Sequence, residues 1–226
     1  MDDLSEHIEK LRTEYRRIFI ETVKLLEAEV LSFRPENFSG EIFEYYENNS
    51  AGRVWQNSVL NYLRSVYYTQ IIELQAEIND MRKKYSCSGC GACCKLAVSE
   101  FSPAELKQKA QNGDKFAKQF IQIFIPYETI EEVKTIYPEY LKLLSEQKET
   151  GYYFYHCPKV TDDNRCPDYE NRPQICRDFP DNPAAFLPLT CGYCDWKERT
   201  ELIYLKLTAM SEVASFYLEN LNKLHK

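Results

Sequence analysis

Nine cysteines, unevenly placed, constrain this 226-residue chain more than any other feature. Four fall within one octapeptide, Cys87-Ser-Gly-Cys90-Gly-Ala-Cys93-Cys94. The other five, Cys157, Cys166, Cys176, Cys191 and Cys194, lie in a second stretch far downstream. Core packing does not call for such density, whereas thiolate is a soft ligand that selects zinc, copper(I) or iron–sulfur clusters. All nine are therefore candidate metal ligands. A metal held by both stretches would staple distant parts of the chain together.

The octapeptide has the form C-x2-C-x2-C-C. Two residues between thiols let the chain curl so that both sulfurs face one ion, as in zinc sites and bacterial-type ferredoxin clusters. Gly89 and Gly91 supply the positive-φ freedom such a turn needs, and exposed N–H groups of the turn can donate to the sulfurs. Adjacent side chains diverge, so Cys93 and Cys94 either serve two neighbouring sites or one of them is spare. Cys191-Gly-Tyr-Cys194 is a second C-x2-C pair. Cys194 stands just before Asp195, an expected helix N-cap, where the positive helix end favours thiolate. Eight cysteines make two four-cysteine sites and nine leave one over; the alternative is one site with reactive thiols beside it. Spacing leaves the pairing open.

The compartment bears on this reading. The N-terminus, Met-Asp-Asp-Leu-Ser-Glu-His, has no basic n-region or apolar h-region and does not read as a secretory signal. No run reaches the 18 or so apolar residues of a membrane span. The expectation is a cytoplasmic protein, where thiols stay reduced and clustered cysteines read as metal-binding or catalytic before they read as disulfides. A formal net charge of −7 and a pI near 5.2 argue against a generic nucleic-acid binder.

Outside the cysteine stretches the pattern is helical. Leu4, Ile8, Leu11, Tyr15, Ile18, Thr22 and Leu25 form one apolar stripe, predicting a helix over 3–31 that ends before Pro35. A short helix over 36–50 would carry Phe43, Tyr45 and Tyr46. Trp55, Val59, Tyr62 and Val66 predict a second long helix over 53–84, whose stripe drifts slightly before resuming at Leu74, Ile78 and Met81. Two such stripes joined by a short connector suggest a helical hairpin, whose faces serve the core first and an unknown protein partner second. Ser102-Pro-Ala-Glu105 reads as a capping box, opening helices near 103–112 and 114–124, with another over 128–147 interrupted near Pro138. Tyr152-Tyr153-Phe154-Tyr155 has strand character and delivers His156 and Cys157. Residues 157–194 hold no helical stripe, and a loop of that length suits a compact domain only if metal ties it down. Leu202, Leu205, Ala209, Val213 and Phe216 predict a last helix over 195–224, opened by the capping box Asp195-Trp-Lys-Glu198.

Cys87-x2-Cys90-Gly91-x-Cys93-Cys94, followed by Cys157, Cys166 and Arg172-Pro173-x2-Cys176-Arg177-x-Phe179-Pro180, resembles the CxxCxxCC (YkgJ-like) cysteine-cluster family. The segment Cys166-Pro-Asp-Tyr-Glu-Asn-Arg-Pro-Gln-Ile-Cys176-Arg carries the match most specifically after the octapeptide. The resemblance runs from about 87 to 180 or 194 and implies a zinc- or iron-chelating domain. A related branch, the flagellin lysine-N-methylases, is similar in its cysteine motif and implies an iron–sulfur cluster.

Other residues are weighed against these thiols. His156 beside Cys157 is a candidate nitrogen ligand, but nine thiols already suffice for two tetrahedral sites. Arg165, Arg172 and Arg177 flank the later cysteines and suit compensation of thiolate charge, with recognition of an anionic substrate as the rival reading. Asp162-Asp163 reads as a solvated turn. No P-loop, dinucleotide fingerprint, H-E-x-x-H or triad is present, so catalytic residues are unassigned.

The expected architecture is mainly α. A long helical hairpin (1–84) and a C-terminal helix surround a loop-rich, metal-clamped cysteine module with minimal β (85–226). The expected cofactor is an iron–sulfur cluster, of the 4Fe–4S type, or zinc. The adjacent cysteines and the surplus of thiols favour iron–sulfur, because structural zinc sites are closed and four-coordinate. Three functions follow: an iron–sulfur protein in redox or group-transfer chemistry, a zinc-stabilised adaptor that uses its hairpin, or an enzyme resembling the lysine methylases.

Overall fold

The computed structural model describes residues 2–138, 140–142 and 151–225. The described residues are 61% helical with one small sheet, and the chain divides into two compact units. Glu6–Lys84 and Arg199–Lys226 form a helical unit; Tyr85–Glu198, with the first five residues, forms a cysteine unit. Among the described residues no helix is long and apolar enough to cross a membrane.

The helical unit contains α1 (Asp2–Ser32), α2 (Ala51–Tyr62), α3 (Tyr68–Arg82) and most of the C-terminal helix, Cys194–Leu224. Its core joins Leu26 and Val30 of α1, Trp55, Val59 and Leu60 of α2, and Met210, Val213, Tyr217 and Leu221 of the C-terminal helix. Burying each such side chain stabilises by about 1.5–3 kcal/mol. The Trp55 Nε1–H donates to the Val30 carbonyl at 2.7 Å, which fixes the closest approach of α1 and α2. His7 bonds Glu201 at 3.2 Å and Tyr15 donates to Glu212 at 2.6 Å. Contact positions rise together, so α1 and the C-terminal helix run side by side in one direction.

Three expectations are corrected here. The stripe of α1 passes through Thr22, Leu26 and Val30, while Leu25 is exposed. On the C-terminal helix the buried face is Ala209, Met210, Val213, Ala214 and Tyr217, with Leu202 and Phe216 outside. The helix expected over 36–50 is replaced by turns. Asn37 and Asn49 take left-handed φ of 61° and 65°. Backbone carbonyls of the segment are satisfied by α2 instead: Gln56 Nε2 donates to Ile42 and Glu44, each at 2.8 Å, and the Arg53 guanidinium donates to Tyr46 at 2.7 Å.

The second long helix forms, but a π turn over Leu63–Tyr67 separates α2 from α3. A π turn carries about one residue more than an α turn, which rotates the buried face. Leu63 and Tyr67 are buried and Val66 is exposed. The drift in the apolar stripe is this turn.

The cysteine unit contains α4 (Ala92–Lys95), β1 (Ala97–Ser99), α5 (Pro103–Gln111), α6 (Lys115–Ile123), β2 (Ile125–Pro126), α7 (Ile130–Ile136), β3 (Tyr153–His156) and α8 (Gln174–Asp178), and it includes the first turn of the C-terminal helix, α9. The strands form an antiparallel sheet of order β1-β3-β2, with Ala97 opposite Tyr155 and Ile125 opposite His156. The Ser102 capping box is present on α5, with Glu105 Oε2 accepting from the Ser102 N–H at 2.8 Å. Leu106, Ala117, Phe120 and Tyr155 make a small core, joined by Ile175 of α8. The helix expected over 128–147 is α7, interrupted at Tyr137; its part over 143–147 lies outside the described residues. From 157 to 193 only α8 interrupts a chain of turns.

Candidate metal centre

The octapeptide folds as a loop entering a single helical turn. Gly89 and Gly91 take φ of 72° and 73°, in the left-handed region where only glycine is unstrained. Gly91 caps α4, so Cys87 and Cys90 sit on the loop and Cys93 and Cys94 on the helix. The Gly89 N–H donates to Cys87 Sγ at 3.4 Å, an amide–sulfur bond of the kind that tunes a metal thiolate. Successive side chains on a helix diverge by about 100°, yet Cys93 and Cys94 stay close enough for their thiols to hydrogen-bond. All nine cysteines are partly buried.

Two downstream segments reach this loop by separate routes. On one side, Ser88 Oγ donates to the Thr190 carbonyl at 2.8 Å and accepts from the Gly192 N–H at 3.0 Å. Gly192 lies so close that a Cβ there would stand 2.0 Å from the Ser86 oxygen. Cys191 is thereby laid beside Cys87 and Cys90. On the other side, the Cys157 N–H donates to the Cys94 carbonyl at 2.7 Å, extending the β1–β3 ladder. Gly91 admits Asn164 so closely that a Cβ would stand 2.7 Å from the Asn164 Cβ, which brings in the turn leading to Cys166. Cys176 arrives on α8, whose Ile175 N–H donates to Gln119 of α6 at 3.3 Å.

The electrostatics follow the same division. The hydrogen bond between Cys93 and Cys94 pushes Cys93 up, with burial and then repulsion from Cys94, Cys87 and Cys90 adding to it. The same bond pulls Cys94 down, against burial and with help from Arg172. Burial pushes Cys191 to about 11, the Tyr193 amide opposing, and Cys90 and Cys87 contribute to the rise. Burial pushes Cys176 to about 11, and Cys94, Cys157 and Cys166 add to it while Arg172 opposes. Burial, then Cys90, Cys93 and Cys191, push the Tyr137 hydroxyl to about 12. Cys191 thus lies in reach of Cys87 and Cys90, Cys93 in reach of Cys94, Cys87 and Cys90, and Cys176 in reach of Cys94, Cys157 and Cys166.

Arg172 touches both. Burial works against its charge, but Tyr169, Cys87 and Cys166 outweigh it and raise its pKa. Its guanidinium stacks 3.7 Å from the Tyr169 ring centroid. Arg177 Nε donates to the Arg172 carbonyl at 2.7 Å and so buttresses that loop. Arg165 instead pairs with Asp163 at the surface, 3.2 Å away. Cys194 is the first residue of α9, and its N–H donates to the Cys191 carbonyl at 3.0 Å. His156 stacks on Tyr127, centroids 4.6 Å apart, and both line a cavity of about 540 Å³ shared with Cys90, Lys95 and Tyr137.

The donor set fits a thiolate-held metal: soft sulfurs in one region of the cysteine unit, with an amide and a guanidinium beside them. The thiols are neighbours and not yet a coordination shell. Among the described residues no three Cys, His, Asp or Glu side chains are drawn together as ligands of one ion. Sequence reasoning missed Tyr137, Tyr169 and Asn164. Only the long-range fold brings these to the thiols, although Tyr169 does lie within the Cys166–Cys176 segment.

The model of the CxxCxxCC family, described as a "putative zinc- or iron-chelating domain", matches residues 86–200. The chain belongs to this family. The match takes in all nine cysteines, and the family supports metal binding as their common chemistry. No curated protein and no solved structure matches the chain.

Proposed function

We propose that this CxxCxxCC protein carries an iron–sulfur cluster held by Cys87, Cys90, Cys93 and Cys191, serving one-electron redox or group-transfer chemistry. The observation that carries the reading is the pairing of a C-x2-C-x2-C loop with a single distant cysteine laid against it through the Ser88–Thr190 and Ser88–Gly192 hydrogen bonds. Three thiolates from one loop and a fourth from elsewhere is the ferredoxin arrangement, in which the next cysteine of the run serves another centre. When bound, a cluster would supply a reversible one-electron couple. This chain's residues would set its environment: the Gly89 N–H donates to Cys87, Arg172 offsets thiolate charge, and the half-buried Tyr137 lies in reach of Cys90, Cys93 and Cys191.

A second reading has one observation in its favour. Cys191 and Cys194 form a closed C-x2-C turn of the kind that pairs on zinc, which suits a zinc-stabilised module that uses its helices for a partner. Purification without oxygen separates the two. A brown protein with equal iron and acid-labile sulfide, and a reduced state visible by electron paramagnetic resonance, is expected. Colourless protein with stoichiometric zinc and no iron would sink the cluster.

A further inference from the structure

We infer that the cavity beside Cys90 is a binding site for a small organic oxyanion, a carboxylate or a phosphate ester. The site lies next to the thiols, and its chemistry does not depend on which metal they carry.

The cavity has a volume of about 540 Å³, inside the range of roughly 300–1,000 Å³ found for small-molecule sites. Its walls come from the cysteine unit alone. Among the described residues Cys90 is the only cysteine in them, so this is not the space that a thiolate-held metal would fill. Four side chains able to donate hydrogen bonds line it: Lys95, Tyr137, His156 and Asn164. All four are half-buried. Among the described residues, none of their side-chain donors has a hydrogen-bond or ion-pair partner. The hydroxyls of Thr135 and Thr161 in the same wall are already engaged, by the Glu132 carbonyl and by Asp163 and the Arg165 backbone. Half-buried donors without partners favour a ligand that brings acceptors, and an ammonium beside N–H and O–H groups matches an oxyanion. The Asp162 carboxylate also borders the cavity but is solvent-exposed.

The donors are held before any ligand arrives. The Tyr127 hydroxyl donates to the Lys95 carbonyl at 2.5 Å, and its N–H to the Phe154 carbonyl at 3.0 Å. The His156 ring stacks on that fixed tyrosine. The Tyr137 ring meets Phe186 edge-on, centroids 5.5 Å apart. Asn164 holds a left-handed φ of 68° with its Cβ packed toward Gly91. Such preorganisation cuts the cost of binding. Ile136, Val160 and the tyrosine rings offer an apolar and aromatic surface to the organic part of the ligand. A ligand seated there lies against Cys90, and so beside any metal that Cys90 holds.

Calorimetric titration of the anaerobically purified full chain tests this, with benzoate, phenyl phosphate, inorganic phosphate and neutral benzyl alcohol as probes. Benzoate or phenyl phosphate should bind, and the tighter of the two names the class. Benzyl alcohol should bind about tenfold more weakly or worse, and inorganic phosphate more weakly than phenyl phosphate. Lys95→Gln should weaken the better anion about tenfold. So should Asn164→Asp, which sets a carboxylate among the donors at a backbone position aspartate tolerates. Asp162→Asn should leave affinity unchanged or tighten it. Metal content and helical circular dichroism of these variants should match the unmutated chain. The inference is overturned if neither aromatic anion binds at millimolar concentration, or if benzyl alcohol binds as tightly as they do. It is overturned equally if inorganic phosphate matches phenyl phosphate, or if Lys95→Gln and Asn164→Asp both bind like the unmutated chain. Loss of metal along with the ligand in both variants overturns it too, because the residues would then act through the thiol loop.

Discussion

A methyl group placed on Gly192 would stand 2.0 Å from the Ser86 carbonyl oxygen and 3.1 Å from the Ser88 nitrogen. Both are backbone atoms, so no side-chain rotation relieves the clash; the segment carrying Cys191 must lift away from the loop carrying Cys87 and Cys90. Gly89 differs. Its left-handed φ of 72° makes alanine strained, but nothing lies within 4 Å of the added carbon, and the cost is about 1–2 kcal/mol. If the proposed cluster is present, Gly192→Ala should lose most of its iron, while Gly89→Ala keeps iron and lowers thermal stability alone. Iron and sulfide per chain, with the melting temperature, check both. If the two variants retained iron equally, the packing of 190–192 on 86–88 would not be what delivers Cys191. The need for glycine at 89 and 91 is legible in the spacing of the octapeptide. The need at 192 is not, because it arises from a segment about a hundred residues away, brought close only by the fold.

At the scale of elements, the π turn between α2 and α3 places Tyr67 in the core with a hydroxyl that has no hydrogen-bond partner among the described residues. Burial first, then the nearby Tyr62, pushes that hydroxyl up to about 12. An orphaned polar group loses its hydration without compensation, so removing it is near neutral or stabilising. Tyr67→Phe should raise stability by up to about 1–2 kcal/mol, read as a rise in the denaturation midpoint at unchanged slope. A clear loss of stability would mean that the hydroxyl is satisfied by bound water. The same turn explains how far periodicity reads. Trp55 and Val59 are correctly assigned to the buried face, because α2 is regular up to Tyr62. Val66 is not, because one added residue per turn rotates the face. The 36–50 segment misleads for another reason. Its aromatic residues look helical locally, yet its carbonyls are claimed by Gln56 and Arg53 of α2, a tertiary preference that no local pattern carries. The Ser102 capping box, which is wholly local, is read correctly.

Over the whole molecule, the two units are held by different means. The helical unit buries thirteen residues in one cluster, Trp55 and Leu221 among them, while the cluster around Tyr155 in the cysteine unit holds four. The stretch from Cys157 to Tyr193 adds one five-residue helix and a series of turns. So little apolar burial does not offset the entropy of ordering such a length, at about 1–2 kcal/mol per residue for the backbone alone. Thiolate–metal binding adds to it, since in zinc-finger peptides it is worth about 10–16 kcal/mol and appears directly as folding free energy. Removing metal should therefore unfold the cysteine loops and spare the helical unit. Removal of metal by oxidation and chelation is expected to open trypsin cleavage at Lys159, Arg165 and Arg177. Arg53, buried and bonded to Tyr46 and Leu224, should stay protected. Peptide mapping against time, with and without metal, measures both. Equal protection of Lys159 to Arg177 in the two states would mean that turn hydrogen bonds alone order the stretch, and that the thiols take up metal as passengers on a scaffold already built.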